Sequence, residues 1–220
     1  MRDIKAKWIA ADWGTTHMRA WAIDKKGEVL AYSESNEGMK DLQQNEFEPV
    51  LLRLIENWLD NKKITPIMAC GMVGARQGWG ETPYLKTPCV PIDKTQLTVA
   101  STKDPRIQVN LVPGVMQHKP ADIMRGEETQ IAGFIKEIPS FDGIVCLPGT
   151  HTKWVNVRAG QIEKFRTFMT GELFGVISNN TLIKHSIESE GWDQVSFDSG
   201  VIKGFDNPGL IASDLFSLRS

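Results

Sequence analysis

Two Gly-Thr turns, at corresponding places in two similar stretches of the chain, have the composition of phosphate-binding turns. The first is Gly14–Thr16 and the second is Gly149–Thr152, in which a histidine separates two threonines. Glycine lets a backbone approach a ligand closely, and backbone N–H groups and hydroxyls donate hydrogen bonds to phosphate oxygens. We therefore expect the two turns to bind a polyphosphate from two sides, although either turn alone could be a plain hairpin connection.

Three charged residues beside these turns extend the predicted site. Asp12 ends a short apolar strand directly before the first turn, where its carboxylate could hold Mg²⁺ directly or through water, or only cap the turn. Arg19 and Lys153 follow the two turns, and their spacing leaves open whether they contact phosphate or point outward. The predicted cofactor-binding residues are Asp12, Gly14, Thr15, Thr16, Gly149, Thr150, His151 and Lys153, with Asp12 also the predicted metal ligand.

Each turn belongs to a predicted meander of three antiparallel strands. The hydrophobic patterns predict these strands at 8–12, 19–23, 29–33, 143–147, 153–157 and 162–166. Two further strands are predicted at 64–70 and 107–112. Helices are predicted at 47–58, at 126–138, from Thr170 onward, and from Asn207 to Ser220. In the helix that begins at Thr170, the residues expected to face inward are Leu173, Val176, Ile177 and Leu182.

Five ordered blocks resemble those of the 2-dehydro-3-deoxygalactonokinase family, within the sugar-kinase/actin/heat-shock ATPase superfamily. The blocks are Ala11–Thr16, Gly71–Trp79, Met124–Gln130, Leu147–Trp154 and Thr170–Phe174. The resemblance implies an α/β fold in which duplicated RNase H-like (actin-like ATPase) domains enclose a nucleotide cleft. It also implies Mg²⁺-dependent transfer of phosphate from ATP to the 6-hydroxyl of 2-dehydro-3-deoxy-D-galactonate, a step in galactonate catabolism.

The resemblance also implies a division into two domains. We expect an N-terminal RNase H-like domain over residues 1–118, with the first phosphate hairpin and the sugar-acid loop. A second RNase H-like domain over residues 119–220 is expected to stop before the Gly-rich adenosine-binding segment of the family, because no stretch after Phe205 resembles that segment. The resemblance as a whole weakens beyond Phe174. ATP and Mg²⁺ are expected between the hairpins of Thr15 and Thr150.

The predicted catalytic residue is a carboxylate that orients or deprotonates the accepting hydroxyl, as phosphoryl transfer requires. The acidic candidates lie between Asp122 and Glu128. In related sugar kinases the base follows a glycine at the start of a helix, so the resemblance assigns the role to Glu127, after Gly126. Asp122 is the second candidate and Glu128 a third, while acidic residues in a first helical turn also simply favour the helix dipole.

The implied substrate carries a carboxylate, for which the site needs a fixed cation. Arg76 lies in a Gly- and Pro-rich stretch, Gly71–Pro91, that is longer than a plain connection. A guanidinium there can bind a carboxylate through two hydrogen bonds, and Arg125 is the competing ligand. Trp79 and Tyr84 would line the carbon chain of the sugar acid. The alternative is a solvent-facing arginine with aromatic residues in the core.

Composition excludes several other classes of protein. The 220 residues include 25 Lys+Arg and 27 Asp+Glu, a net charge of −2, so no basic field favours nucleic acid. Three scattered cysteines indicate neither a disulfide framework nor a zinc site. Neither a membrane-spanning run nor a signal peptide is predicted, so we expect a cytoplasmic protein whose partners are ATP and a small sugar acid.

Two other functions remain open from the sequence. One is a non-catalytic module of the same superfamily that binds a nucleotide or a sugar acid, and the other is a kinase for another acidic sugar. A transcriptional sensor is disfavoured, because no helix-turn-helix segment precedes Trp8.

Overall fold

A computed structural model describes residues 4–187 and 191–218 and has a mixed α/β fold. Its strands are β1 (Trp8–Trp13), β2 (Met18–Ile23), β3 (Val29–Ser35), β4 (Thr65–Gly71), β5 (Tyr84–Lys86), β6 (Thr98–Val99), β7 (Ile107–Leu111), β8 (Gly114–His118), β9 (Ala121–Met124), β10 (Gly143–Leu147), β11 (Thr152–Arg158) and β12 (Gln161–Phe168). Its helices are α1 (Phe47–Ile55), α2 (Glu127–Glu137), α3 (Thr170–Asn180), α4 (Gln194–Asp206) and α5 (Ile211–Ser217).

The largest sheet has six strands in the order β3-β2-β1-β4-β7-β6. β1 pairs antiparallel with β2 and parallel with β4, and β4 pairs parallel with β7. Alternate residues of β1 and β4 are buried, as expected for strands that cover a core with one face. The buried stripe of α1 joins the same core through Phe47, Val50, Leu51 and Ile55. This core therefore fixes the carboxyl ends of β1 and β4, where the candidate site begins.

A second core joins the two smaller sheets, which have the orders β5-β8-β9 and β10-β11-β12. Its buried residues are Val115, Met124, Ile131, Val155, Val157, Ile162 and Phe165. The buried Gln117 amide ties β8 to β12, because it donates to the Phe165 carbonyl and accepts from the Phe165 N–H, at 2.8 and 2.9 Å. This packing determines where α2 begins and how β11 lies beside it.

The chain forms two compact units that differ in burial. The first contains the residues up to Leu147 and Lys153–Thr167, and the second contains Pro148–Thr152 and the residues from Phe168 onward. None of the described residues of α3, α4 and α5 is buried. The predicted inward face of α3 is therefore wrong: Leu173, Val176 and Leu182 are exposed, and Ile177 is only partly buried. The predicted domain boundary near residue 118 remains a prediction.

Most of the predicted elements are confirmed within a few residues. Both meanders, the strands β4 and β7 and the helices α1 and α2 lie where the patterns predict them. The structure adds β5, β6, the β8–β9 hairpin and α4. The last predicted helix is a short 3₁₀ turn followed by α5, and residues 219–220 of that prediction lie outside the described residues. None of the described helices is long and apolar enough to cross a membrane.

Candidate active site

The parallel pairing of β1 and β4 brings Asp12 next to Gly71. Asp12 is opposite Cys70 in this pairing, and Trp13 is opposite Gly71. Gly71 has φ +90°, and a Cβ there would lie 2.6 Å from the Trp13 carbonyl oxygen, so this close approach requires glycine. The Cys70 thiol lies 4.0 Å from Asp12 Oδ1, and burial raises the pKa of Cys70 to about 12. Cys70 is therefore a thiol donor to Asp12 and not a nucleophile.

Asp12 is partly buried between charges of both signs. Arg19 Nη1 lies 3.8 Å from Asp12 Oδ2, because the two residues are opposite each other in the β1–β2 pair. Burial raises the pKa of Asp12, the Arg19 guanidinium lowers it, and the Glu127 carboxylate raises it again; together they leave it above its usual value. A cation bound at Asp12 would stabilise the ionised carboxylate against both unfavourable effects.

Glu127, the first residue of α2, is held at both carboxylate oxygens. Glu127 Oε2 accepts a hydrogen bond of 3.1 Å from the backbone N–H of Arg125, and Oε1 lies 3.3 Å from Lys153 Nζ. The Glu127 side chain is 23% exposed, so a ligand can reach it from solvent. The structure thus brings together three of the predicted residues, Asp12, Glu127 and Lys153, within the first unit.

Glu128 lies on the buried side of the same helical turn. It is fully buried, Oε2 accepts a 2.7 Å hydrogen bond from Gly126 N–H, and Oε1 accepts one of 3.2 Å from the Thr129 hydroxyl. Burial raises the pKa of Glu128 to about 7. Because its carboxylate has no exposed surface, Glu128 supports the entry of α2 and cannot contact a substrate in this conformation.

Asp122 has both carboxylate oxygens bound to the neighbouring strand β12. Asp122 Oδ2 accepts from the Thr167 N–H at 2.8 Å, and Oδ1 accepts from the Thr167 hydroxyl at 2.7 Å. Asp122 also accepts a 2.8 Å hydrogen bond from the N–H of Ile123. These bonds join β9 to β12, so the surroundings of Asp122 support a structural role rather than that of the predicted alternative base.

Arg125 is fixed between an aromatic ring and a buried threonine. Its guanidinium stacks over the Tyr84 ring at 4.4 Å and donates to the hydroxyl and the carbonyl of Thr82. A Cβ at Gly74 would lie 2.8 Å from Arg125 Nη1, so the loop approaches the guanidinium closely because this residue is glycine. Arg125 Nε is buried and has no partner among the described residues. An unpaired buried donor of this kind is expected where a ligand binds.

The other predicted substrate residues differ in position. Arg76 is exposed, in the same loop as Gly74. Trp79 is 5% exposed and packs in the core against Trp13 and Phe47, and its indole N–H donates to the Ser101 carbonyl at 3.2 Å. Burial therefore does not support the expectation that Trp79 lines the sugar acid. Tyr84 is partly exposed and supports Arg125.

The first Gly-Thr turn is braced by a segment that follows β3. Gly14 N–H donates to the His17 carbonyl at 2.8 Å, which closes the turn, and Thr15 and Thr16 are exposed. The N–H groups of Met39 and Lys40 donate to the carbonyls of Gly14 and Thr15, at 3.0 and 3.1 Å. A Cβ at the preceding Gly38 would lie 2.3 Å from the Thr16 backbone, so glycine is needed for this contact.

The second Gly-Thr turn, in the second unit, has the same bracing pattern. The N–H groups of Gly171 and Glu172 donate to the carbonyls of Gly149 and Thr150, at 3.3 and 3.1 Å. A Cβ at Gly171 would lie 2.9 Å from the Gly149 carbonyl oxygen. His151 is exposed, and its Nε2 lies 2.5 Å from Glu172 Oε2. Each turn is therefore held by two consecutive N–H groups from a later segment.

Thr82, Gly74 and the bracing glycines Gly38 and Gly171 were not identified as site residues from the sequence. Gly74 and Gly171 lie inside the blocks that carry the family resemblance, and that position was the available signal. Thr82 and Gly38 give no such signal, because their contacts come from distant segments.

Comparison with known families and proteins identifies the chain as a member of a kinase family. A family model described as 2-keto-3-deoxy-galactonokinase matches residues 12–220. The chain belongs to the 2-keto-3-deoxy-galactonokinase family.

Individual relatives agree with this assignment. A Rhizobium meliloti (strain 1021) protein named as a probable 2-dehydro-3-deoxygalactonokinase is 36% identical over 220 residues, covering 97% of this chain and 71% of the relative. The Escherichia coli (strain K12) 2-dehydro-3-deoxygalactonokinase is 34% identical over 218 residues, covering 98% and 71%. A crystal structure of a Sinorhizobium meliloti protein named for the same activity is 36% identical, with a TM-score of 0.86 over 96% of this chain and 70% of that one.

Proposed function

We propose that this chain phosphorylates 2-dehydro-3-deoxy-D-galactonate at its 6-hydroxyl, with ATP as the phosphate donor, in galactonate catabolism. The observation that carries the proposal is Glu127, a reachable carboxylate held at both oxygens close to Asp12. Membership of the family supports the choice of substrate.

Asp12 is the proposed ligand of Mg²⁺. The described residues contain no group of three His, Cys, Asp or Glu side chains arranged to hold a metal ion. Mg²⁺ commonly binds to one or two carboxylates together with water and substrate phosphates, so a single partly exposed aspartate fits this ion. When bound, Mg²⁺ would neutralise charge on the phosphates.

Glu127 is the proposed base, and the surroundings of its rivals support this choice. The 6-hydroxyl oxygen would attack the γ-phosphorus, the bond from this phosphorus to the β–γ bridging oxygen would break, and the hydroxyl proton would pass to Glu127. Asp122 accepts three hydrogen bonds, two of them from Thr167 on the neighbouring strand, and Glu128 is fully buried. Glu127 is the candidate that is both partly exposed and close enough to Asp12 to affect its charge.

Arg125 and Arg76 are the proposed ligands of the substrate carboxylate. Arg125 offers a guanidinium already oriented by Tyr84 and Thr82, which lowers the entropy that binding must cost. Arg76 lies on the same loop and is open to solvent. The two Gly-Thr turns are the proposed phosphate contacts, with Thr15, Thr16 and Thr150 as donors.

The two predicted domains, residues 1–118 and 119–220, are proposed to descend from one duplicated RNase H-like domain. The shared pattern of an antiparallel meander and a Gly-Thr turn braced by two later N–H groups supports this arrangement. A single hairpin would give a weaker argument, because Gly-containing turns are common.

The experiment is a kinase assay on the purified chain with Mg²⁺-ATP and the sugar acid, followed by ³¹P NMR of the product. We expect a 6-phosphate ester, and at least about 100-fold slower turnover in Glu127→Gln, as for loss of a general base. The C4 epimer is the control substrate. Nucleotide binding without any phosphorylation would instead favour the non-catalytic module, and phosphorylation of the epimer alone would favour another acid-sugar kinase.

A further inference from the structure

Lys153 is a buried cation that follows the second Gly-Thr turn. It lies in β11, opposite Leu147 of β10, and its side chain is 5% exposed. Arg19, at the matching place after the first turn, has a side chain that is 51% exposed. A lysine is seldom this buried without a partner, because taking its charge out of water costs several kcal/mol. The two basic residues of the repeat therefore serve different purposes.

Glu127 is the partner of Lys153. In the described part of the chain, it is the one carboxylate within 4.0 Å of the Lys153 ammonium, with Nζ 3.3 Å from Glu127 Oε1. The other oxygen of Glu127 accepts a hydrogen bond of 3.1 Å from the backbone N–H of Arg125. A carboxylate held at both oxygens has little freedom to rotate, so Lys153 completes the fixation of Glu127.

Asp12 adds a reason for a cation at this place. The carboxylates of Glu127 and Asp12 interact as like charges, and the Lys153 ammonium, 3.3 Å from Glu127 Oε1, offsets the repulsion between them.

From this geometry we infer that Lys153 is a positioning residue for Glu127 and not a phosphate contact. The inference rests on the proposed function, in which Glu127 touches the substrate. An ammonium that contacts phosphate must present its N–H groups to a ligand, whereas Lys153 has almost no exposed surface and is already bound to a carboxylate.

The test compares Lys153→Met with Lys153→Arg, which keeps the charge, and with Lys164→Met, which removes an exposed lysine from the neighbouring strand β12. In Lys153→Met we expect kcat to fall about tenfold to a hundredfold, the cost of a misplaced catalytic group. The Kd for Mg²⁺-ATP should stay within about twofold of the parent, since a factor of two is well below the tenfold cost of a lost contact. Lys153→Arg should recover part of kcat, and Lys164→Met should match the parent.

A double variant identifies the residue through which Lys153 acts. If Lys153 works through Glu127, Lys153→Met/Glu127→Gln should have the same kcat as Glu127→Gln alone, whereas independent roles would multiply the two losses. Multiplied losses, or a Kd for Mg²⁺-ATP weakened tenfold or more, would overturn the inference.

Two measurements keep the inference separate from the proposed function. An inactive parent would reject the kinase proposal by itself. In that case, Mg²⁺-triphosphate affinity and denaturant midpoints decide about Lys153. Two results together support the pairing of Lys153 with Glu127. The affinity of Lys153→Met for Mg²⁺-triphosphate is unchanged, and the shifts in denaturant midpoint of Lys153→Met and Glu127→Gln do not add in the double variant. Any other combination overturns it.

Discussion

Three carboxylates around the start of α2 differ in what their surroundings allow them to do. Asp122 is bound by a neighbouring strand, Glu128 is fully buried, and Glu127 is fixed but reachable. General-base chemistry needs a carboxylate that is both oriented and accessible. All three residues are carboxylates, so it is their surroundings, and not the residue type, that favour Glu127 as the base. Asp12 differs from all three, because burial and the Glu127 carboxylate disfavour its charged form, which a bound cation would stabilise.

Replacing Asp12 with Asn should remove the metal ligand with little effect on the fold. We expect turnover to fall at least about 100-fold, as for loss of charge neutralisation at a transferred phosphate. Because Asp12 has a raised pKa, its charge costs stability at neutral pH, and the free energy of unfolding should stay equal or rise slightly.

The measurements for Asp12→Asn are kcat over a range of Mg²⁺ concentrations and thermal unfolding. Asp142→Asn is the control, since Asp142 is an exposed aspartate whose carboxylate lies 3.8 Å from Arg158. Near-normal kcat of Asp12→Asn at saturating Mg²⁺ would contradict the assignment.

Replacing Arg76 with Ala should weaken binding of the sugar acid more than binding of ATP. A charge-assisted contact to a carboxylate is worth roughly 1.5–3 kcal/mol, so the Kd for the sugar acid should rise about tenfold to a hundredfold. Calorimetry of both ligands measures this difference. Equal sugar-acid affinity in variant and parent would remove Arg76 from the site. Arg125→Lys, which keeps the charge but loses the fork of donors, would then be expected to carry the loss.

Some of these residues could be predicted from sequence and others could not. Arg76, Arg125 and Glu127 lie in blocks that resemble the family, so their types and positions were informative. Thr82 and the burial of Trp79 were not predictable, because both depend on contacts between distant segments. The Trp79 ring packs against Trp13 and Phe47, and the Thr82 hydroxyl lies between Arg125 and the carbonyls of Gly74 and Val112.

At the scale of elements, the entry to α2 couples the helix to β4. Gly126 has φ +107°, and a Cβ there would lie 3.4 Å from the Gly71 Cα. Glu128 closes this turn by accepting from the Gly126 N–H. The position of Glu127 therefore depends on a buried carboxylate one residue away.

The raised pKa of Glu128 predicts a pH-dependent stability. Between the ordinary glutamate pKa of 4.5 and the raised pKa of about 7, the unfolded chain loses the Glu128 proton first. This group therefore reduces stability as pH rises and has no further effect above about 7. Glu128→Gln removes the titration. Relative to the parent, the variant should gain up to about 3 kcal/mol of unfolding free energy between pH 4.5 and pH 8, from 1.36 kcal/mol per pKa unit.

Urea unfolding of the parent and of Glu128→Gln at both pH values measures this gain. The comparison between the two chains cancels the contribution of Asp12, whose pKa is also raised. A stability difference that does not change with pH would mean that Glu128 is ionised in the folded protein at low pH as well.

Elements with a clear pattern were predictable, and those without one were not. The two meanders alternate cleanly, whereas the β8–β9 hairpin begins at Gly114, directly after Pro113, and contains Pro120, which obscures its strands. α3 has an apolar stripe in sequence, but whether a stripe is buried depends on what packs against it, which periodicity does not show.

At the scale of the whole chain, the two units differ in the source of their stability. The first unit has two apolar cores, whereas large apolar side chains of α3, α4 and α5 are exposed, among them Phe174, Phe205 and Phe216. Isolated helices shorter than about 12–15 residues are marginal in water, so helices that bury no residue gain little from packing. The internal repeat of turns could be predicted from sequence, but this difference in burial could not.

Hydrogen exchange should reveal this difference directly. Amides of β1, β4 and β7 should exchange only through global unfolding, because these strands surround the first core. Amides of α3, α4 and α5 should exchange through local opening, at least about 100-fold faster, since this factor corresponds to only about 2.7 kcal/mol of opening free energy. Mass spectrometry of peptides at two protein concentrations separates local opening from protection by self-association through the exposed side chains. If α3–α5 were as protected as β4 at both concentrations, the exposed apolar surface would not limit the stability of the second unit.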